Sequence, residues 1–159
     1  MVASPGPHPD QKPIRFVGII GLKDVNLFLR GPLVHGMSRP LGLIFRLPHG
    51  LSNAVLLPAV TRFSWRGAVE RYAEVARAME VAPASGSDEA CCEALLDTLD
   101  RLNRELQVPR LRDCCGGDFE AFRAVLPKMA SDALESGSPQ NNPIIPSNGQ
   151  IIELYEAAW

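Results

Sequence analysis

Apolar side chains recur along most of this chain at intervals of three and four residues, the period of helices that bury one face. Between Ala68 and Met79 the inward set is Val69, Tyr72, Ala73, Ala76 and Met79, while Glu70, Arg71, Glu74 and Arg77 take the other side. A second pattern starts at Ser87, whose hydroxyl can cap a helix. Asp88 and Glu89 follow it, where carboxylates meet the positive end of the helix dipole. It continues through Ala94, Leu95, Leu99 and Leu102 to about Leu106, ahead of Val108-Pro109. A third, from Asp118 to Leu134, carries Phe119, Phe122, Val125, Leu126, Met129, Ala130 and Ala133 around Pro127, which predicts a kink. The last opens at Ser147 with Gln150 three residues on, a reciprocal capping pair, and directs Ile151, Ile152, Leu154, Tyr155 and Trp159 inward.

Proline and glycine set the expectations for the first half. A helical segment from Asp24 to Arg39 is interrupted at Gly31-Pro32 and should end at Pro40, because the ring removes a donor and crowds the preceding turn. Another starts at Pro48, a residue suited to a first turn, with Leu51, Ala54, Val55, Pro58 and Ala59 along one side; Pro58 should bend or end it. Residues 14–22 have the β-branched content of a strand, but no partner strand follows. Residues 1–13 hold four of the 14 prolines and read as loosely attached. The expected architecture is all-α: a poorly ordered segment over 1–23 and one domain of six helices over 24–159. Ser136 to Ser147 reads as a surface loop, ordered or loose, and no repeat of solenoid length is present.

Composition narrows the functional classes. With 16 basic against 18 acidic residues and no basic block, the chain lacks the electrostatic footprint of a nucleic-acid binder. No apolar run approaches the roughly 20 residues of a membrane-spanning helix, and the start lacks the features of a signal peptide, so a cytoplasmic protein is expected. Four cysteines form two adjacent pairs, Cys91-Cys92 and Cys114-Cys115. Neighbours on a helix point about 100° apart, so neither pair makes a metal clip or a CxxC redox motif, and free, half-buried thiols are expected.

The candidate chemistry lies in two histidines. His35 stands in Leu33-Val34-His35-Gly36-Met37-Ser38-Arg39-Pro40-Leu41-Gly42, and His49 in Leu47-Pro48-His49-Gly50-Leu51-Ser52-Asn53-Ala54. Neutral imidazole is a common nitrogen ligand for zinc and iron, and two rings from successive helices can share an ion if the chain turns back between them. Gly42 to Leu47 is the segment expected to make that reversal. Two histidines alone hold a metal weakly, and His8, in the proline-rich start, reads as solvated.

These segments resemble the iron-dependent alcohol dehydrogenases (dehydroquinate synthase-like). His35-Gly36-Met37, Pro40-Leu41-Gly42, Pro48-His49-Gly50, Asn53-Ala54 and Leu56-Leu57-Pro58 stand where that family has them. So do Arg71-Tyr72-Ala73-Glu74-Val75-Ala76, Leu102-Asn103-Arg104-Glu105-Leu106, Pro109, Leu111-Arg112-Asp113 and the closing Ile152 to Trp159. The resemblance covers 33–159 and implies the helical carboxyl-terminal domain, with His35 and His49 as two ligands of a divalent ion, Fe2+ or Zn2+. It implies an oxidoreductase that moves hydride between a nicotinamide cofactor, NAD or NADP, and small alcohols, aldehydes or hydroxy acids.

The departures qualify what is carried over. The family's other two ligands, an aspartate and a histidine, precede the matching region, and neither Asp24 nor His8 fits their context. Gly116-Gly117 is too short for a phosphate loop and sits between helices, so NAD(P) would bind only if a partner domain supplied the site. Arg39 stands where the family usually has another histidine. It carries a permanent charge that repels a cation and cannot serve as a base. The expectation is therefore weak metal binding and an inactive isolated chain lacking the nucleotide-binding domain. The competing reading is a non-catalytic module, or truncated relic, that oligomerises through an exposed interdomain surface. Thiol redox chemistry ranks last.

Overall fold

Helix α1 (Pro32–Phe45) puts Leu33, Val34, Met37, Ser38 and Leu41 on one face, and all five are buried. The computed structural model describes residues 32–159. The strand-like stretch at 14–22, the loose segment 1–23, the domain boundary at 24 and the start of a helix at Asp24 lie outside them. Pro40 does not end α1, contrary to the sequence expectation. An interior proline costs about 3 kcal/mol, whereas burying Leu33, Met37 and Leu41 contributes about 1.5–3 kcal/mol each, so burial wins. The helix stops at Arg46, held in the left-handed region at φ 57°, and the chain reverses there, within the expected Gly42 to Leu47 segment, while Gly42 itself still lies inside α1.

Helix α2 (His49–Ser64) follows, with Pro48 in extended conformation just before it. Pro58 was expected to bend or end this helix, yet the helix runs six residues past it. The carbonyl that Pro58 cannot serve, that of Ala54, accepts a hydrogen bond from Asn103 Nδ2 at 2.8 Å, so the interruption is repaired from another helix. A 3-10 turn (Trp65–Gly67) leads into α3 (Val69–Ala78), and α4 (Asp88–Glu105) starts on the Ser87 cap, whose side chain accepts from the Ala90 N–H. A short helix unannounced by the sequence, α5 (Leu111–Cys114), precedes α6 (Phe119–Glu135), capped by Asp118 and continuous through Pro127. A 3-10 turn (Ser138–Asn141) and α7 (Asn148–Ala157), with the expected Ser147–Gln150 capping pair, complete the described chain. Among the described residues there is no strand, as the all-α reading requires.

Two apolar clusters hold these helices. The larger joins α1, α2, α6 and α7 through Leu33, Met37, Leu41, Leu56, Phe122, Leu126, Met129, Ile151 and Tyr155, with Leu111 of α5. Phe122 also stacks on Trp159, ring centroids 4.5 Å apart. The smaller packs α3 against α4 through Ala73, Ala76, Cys91, Cys92, Leu95, Leu96 and Leu99, with Trp65 at its edge. Leu57 of α2 touches both clusters. Tyr155 ties the ends of the described chain together: its buried hydroxyl donates to the Met37 carbonyl at 2.6 Å, beneath the His35 segment. The 136–147 stretch proves ordered, with Pro139 and Asn142 buried and Asn142 Nδ2 donating to Ser64 Oγ at 2.9 Å.

Candidate metal centre

His35 lies on the solvent face of α1, the helical complement of the buried Leu33, Met37 and Leu41 stripe. His49 is the first residue of α2. The three-residue connection Arg46 to Pro48, with Leu47 buried as its anchor, returns the chain so that the two rings meet edge to face, centroids 4.6 Å apart and planes at 82°. Both side chains are exposed, and Arg39, one turn beyond His35, is exposed as well. The sequence expectation that the two imidazoles converge is therefore met in space.

Ser38 and Asn53 complete the arrangement, and neither was singled out from the sequence. Ser38 is buried on α1. Its Oγ donates to the His35 carbonyl at 3.0 Å and lies 3.2 Å from His49 Nδ1. Asn53, one turn on from His49, places Nδ2 3.3 Å from His49 Nε2. The signal that could have found them was spacing: Asn53 falls at the i+4 position from His49, where side chains on one helix meet. Ser38 had no such signal, since its contact with His49 spans the turn between helices.

The donor set suits part of a metal site. With metal–nitrogen bonds of about 2.0–2.1 Å, two rings on one ion must have centroids within a few ångströms of each other, and 4.6 Å meets that requirement. Among the described residues no group of three or more His, Cys, Asp or Glu side chains gathers at one point, so the remaining donors would have to come from elsewhere.

The cysteines do other work. Cys91 and Cys92 are fully buried in the α3–α4 cluster, more deeply than expected, and the Cys92 thiol faces the Val69 carbonyl at 3.4 Å. Burial pushes Cys92 up to about 11 and Cys115 up to about 12, and raises Cys114 too, so these three are neutral thiols at pH 7 and poor nucleophiles. Gly116 and Gly117, at φ 85° and 76°, close the turn after α5, where the Gly117 N–H donates to the Arg112 carbonyl. That is a helix stop rather than a phosphate cradle. No helix among the described residues is long and apolar enough to cross a membrane.

The family profile described as Fe-containing alcohol dehydrogenase, C-terminal, matches residues 28–159, and the chain belongs to that family. It is 34% identical over 146 residues to lactaldehyde reductase of Escherichia coli K12, covering 91% of this chain and 36% of that protein. It is 32% identical over 127 residues to 1,3-propanediol dehydrogenase of Citrobacter freundii, covering 79% of this chain and 32% of that one. The crystal structure of a 1,3-propanediol oxidoreductase superposes with a TM-score of 0.72 at 30% identity, over 80% of this chain and 32% of its own. The iron-containing alcohol dehydrogenase of Thermococcus thioreducens gives 0.61 at 33%, over 79% and 31%. The chain thus spans about a third of the length of these relatives.

Proposed function

We propose that residues 32–159 form the metal-bearing helical part of an oxidoreductase that interconverts small alcohols or hydroxy acids with their carbonyl forms, using NAD or NADP. The observation that carries this reading is the meeting of the His35 and His49 rings, centroids 4.6 Å apart, within a domain of the iron-containing family. A divalent iron or zinc ion, when bound, supplies Lewis acidity toward the substrate oxygen. The residues of this chain hold and orient: His35 from the side of α1 and His49 from the start of α2 offer one neutral nitrogen each. Arg39, exposed one turn after His35, carries a guanidinium, which offers N–H donors and no acceptor and so cannot serve as a base. It favours an anionic group on the substrate side of the site and weakens cation binding.

The remaining metal ligands and the nicotinamide site are assigned to protein outside residues 32–159. The exposed line His35, Arg39 and Leu43 on α1, with Leu43 76% exposed, supports a neighbouring domain or a second copy of the chain covering this face. Catalysis by the isolated chain is not expected, and its free thiols are consistent with a reducing, cytoplasmic setting.

The test is binding of Co2+, a spectroscopic stand-in for iron or zinc, to the full chain, followed by visible absorption and calorimetry. Wild type should bind one equivalent weakly, and His35→Ala and His49→Ala should each lower affinity by at least about tenfold. A wild-type chain that binds no Co2+, or that loses none on either substitution, would remove the metal assignment.

A further inference from the structure

The buried hydroxyl of Ser38 touches both halves of the histidine pair, and counting its protons shows what it can do. Its Oγ lies 3.0 Å from the His35 carbonyl and 3.2 Å from His49 Nδ1. A carbonyl only accepts, so the single hydroxyl proton goes to His35 O. What remains toward His49 is an oxygen lone pair, and an Nδ1 facing a lone pair must carry the ring proton. A neutral imidazole has one ring proton, so Nε2 is then the lone-pair nitrogen. The Asn53 amide lies at Nε2, with Nδ2 at 3.3 Å and Oδ1 buried without a partner in this orientation, so the proton count rests on Ser38, and Asn53 has to turn away when Nε2 takes a metal.

We infer that Ser38 is a positioning residue that fixes the Nδ1–H tautomer of His49 and leaves Nε2 as the nitrogen that ligates. The inference rests on the metal reading above and adds to it the identity of the donor atom and the group that selects it. Burial gives the device its strength. At 1% exposure Ser38 cannot exchange either partner for water, whereas the exposed ring of His49 without it would be free to adopt the Nε2–H form that a free imidazole prefers. The same hydroxyl is anchored on the backbone of His35, so the orientation of one ligand is referred to the position of the other.

The tautomer is read directly by long-range 1H–15N correlation spectra of the full chain, taken metal-free at a pH where His49 is neutral. The expected result is a protonated Nδ1 and an unprotonated Nε2 in wild type, and a shift toward Nε2–H in Ser38→Ala. Co2+ affinity of the same variant should fall by roughly 10–100-fold, with circular dichroism unchanged. A wild-type ring with its proton on Nε2, with Ser38 donating to Nδ1 and the Asn53 amide turned to accept, overturns the inference. So does a tautomer that Ser38→Ala leaves untouched. Should the variant fail to fold, the wild-type spectrum alone decides. The two readings fail separately. Loss of all Co2+ binding in wild type sinks the metal site whatever the tautomer, and Co2+ binding that depends on both histidines with the proton on Nε2 sinks only the role of Ser38.

Discussion

The amide of Asn103 stands 2.8 Å from the Ala54 carbonyl, 49 positions away, which Pro58 leaves without its helical donor. That distance explains why Pro58 misleads when read in sequence: the penalty is local, and the side chain that offsets it belongs to α4. A part-buried carbonyl stripped of its donor costs about 1–2 kcal/mol, the lower part of the range for a fully buried one. Asn103→Ala should therefore lower the stability of the full chain by that amount in urea unfolding. In a Pro58→Ala background residue 58 regains an N–H for Ala54, and the same Asn103→Ala change should cost less than about 1 kcal/mol. Equal costs in the two backgrounds would mean that Asn103 acts by packing and not by repair. His35 and His49 were legible in the chain because the residues around them carry a family pattern. Ser38 and Asn53 were not, because their roles exist only where the α1–α2 turn brings them beside His49.

At the scale of elements, the helices were legible wherever an apolar stripe coincided with a cap. Ser87 and Ser147 start helices within a residue of where their hydroxyls predict, and the α3 stripe buries Ala73 and Ala76 as its spacing requires. Helix ends were harder to read. Helices α3 and α4 close on Glu80 at φ 56° and Gln107 at φ 54°, where glycine would be the usual signal. In both, the following residue reaches back five positions: the Val81 N–H to the Ala76 carbonyl at 3.1 Å, and the Val108 N–H to the Asn103 carbonyl at 2.9 Å. The two caps hold two L-residues in a conformation that costs them about 1–2 kcal/mol each relative to glycine. Glycine also has more unfolded-state freedom to lose, which returns roughly half of that. Glu80→Gly and Gln107→Gly should each stabilise the protein by about 0.5–1 kcal/mol, seen as a higher urea midpoint at constant slope. A lower midpoint in both would show that the side chains contribute more at these turns than the backbone strain removes. The same reasoning explains why α5 went unread: Leu111 to Cys114 is four residues long, too short to display a period.

Across the whole molecule, the fold class was legible from the helical periods and the family resemblance. The division into two apolar clusters was not, because it depends on which helices meet. Gly67 shows how the segment after α6 is held against the end of α2. It ends the 3-10 turn that carries Trp65, and a Cβ there would stand 2.7 Å from Ile144 Cγ1, 2.8 Å from the Pro143 carbonyl oxygen and 2.9 Å from its carbon. Backbone at that distance cannot step aside as a flexible side chain can, so the 142–144 segment is pressed onto the end of α2 by the absence of a side chain. Asn142 fastens it there, donating to Ser64 Oγ at 2.9 Å and to the Ile144 carbonyl at 2.8 Å. Gly67→Ala should therefore destabilise the chain by about 1–3 kcal/mol, the usual cost of overpacking a filled site. The histidine pair is built on the α1–α2 turn, and the length of α2 that separates His49 from Ser64 is roughly 22 Å, although the 136–147 stretch also reaches α1, where Pro139 lies against Gly36. Distant, independent sites add, so Co2+ affinity of folded Gly67→Ala should stay within about threefold of wild type. A stability equal to wild type would show that the 142–144 segment is not pinned at Gly67. A large loss of affinity in the folded variant would show that strain at the far end of α2 reaches the histidine pair.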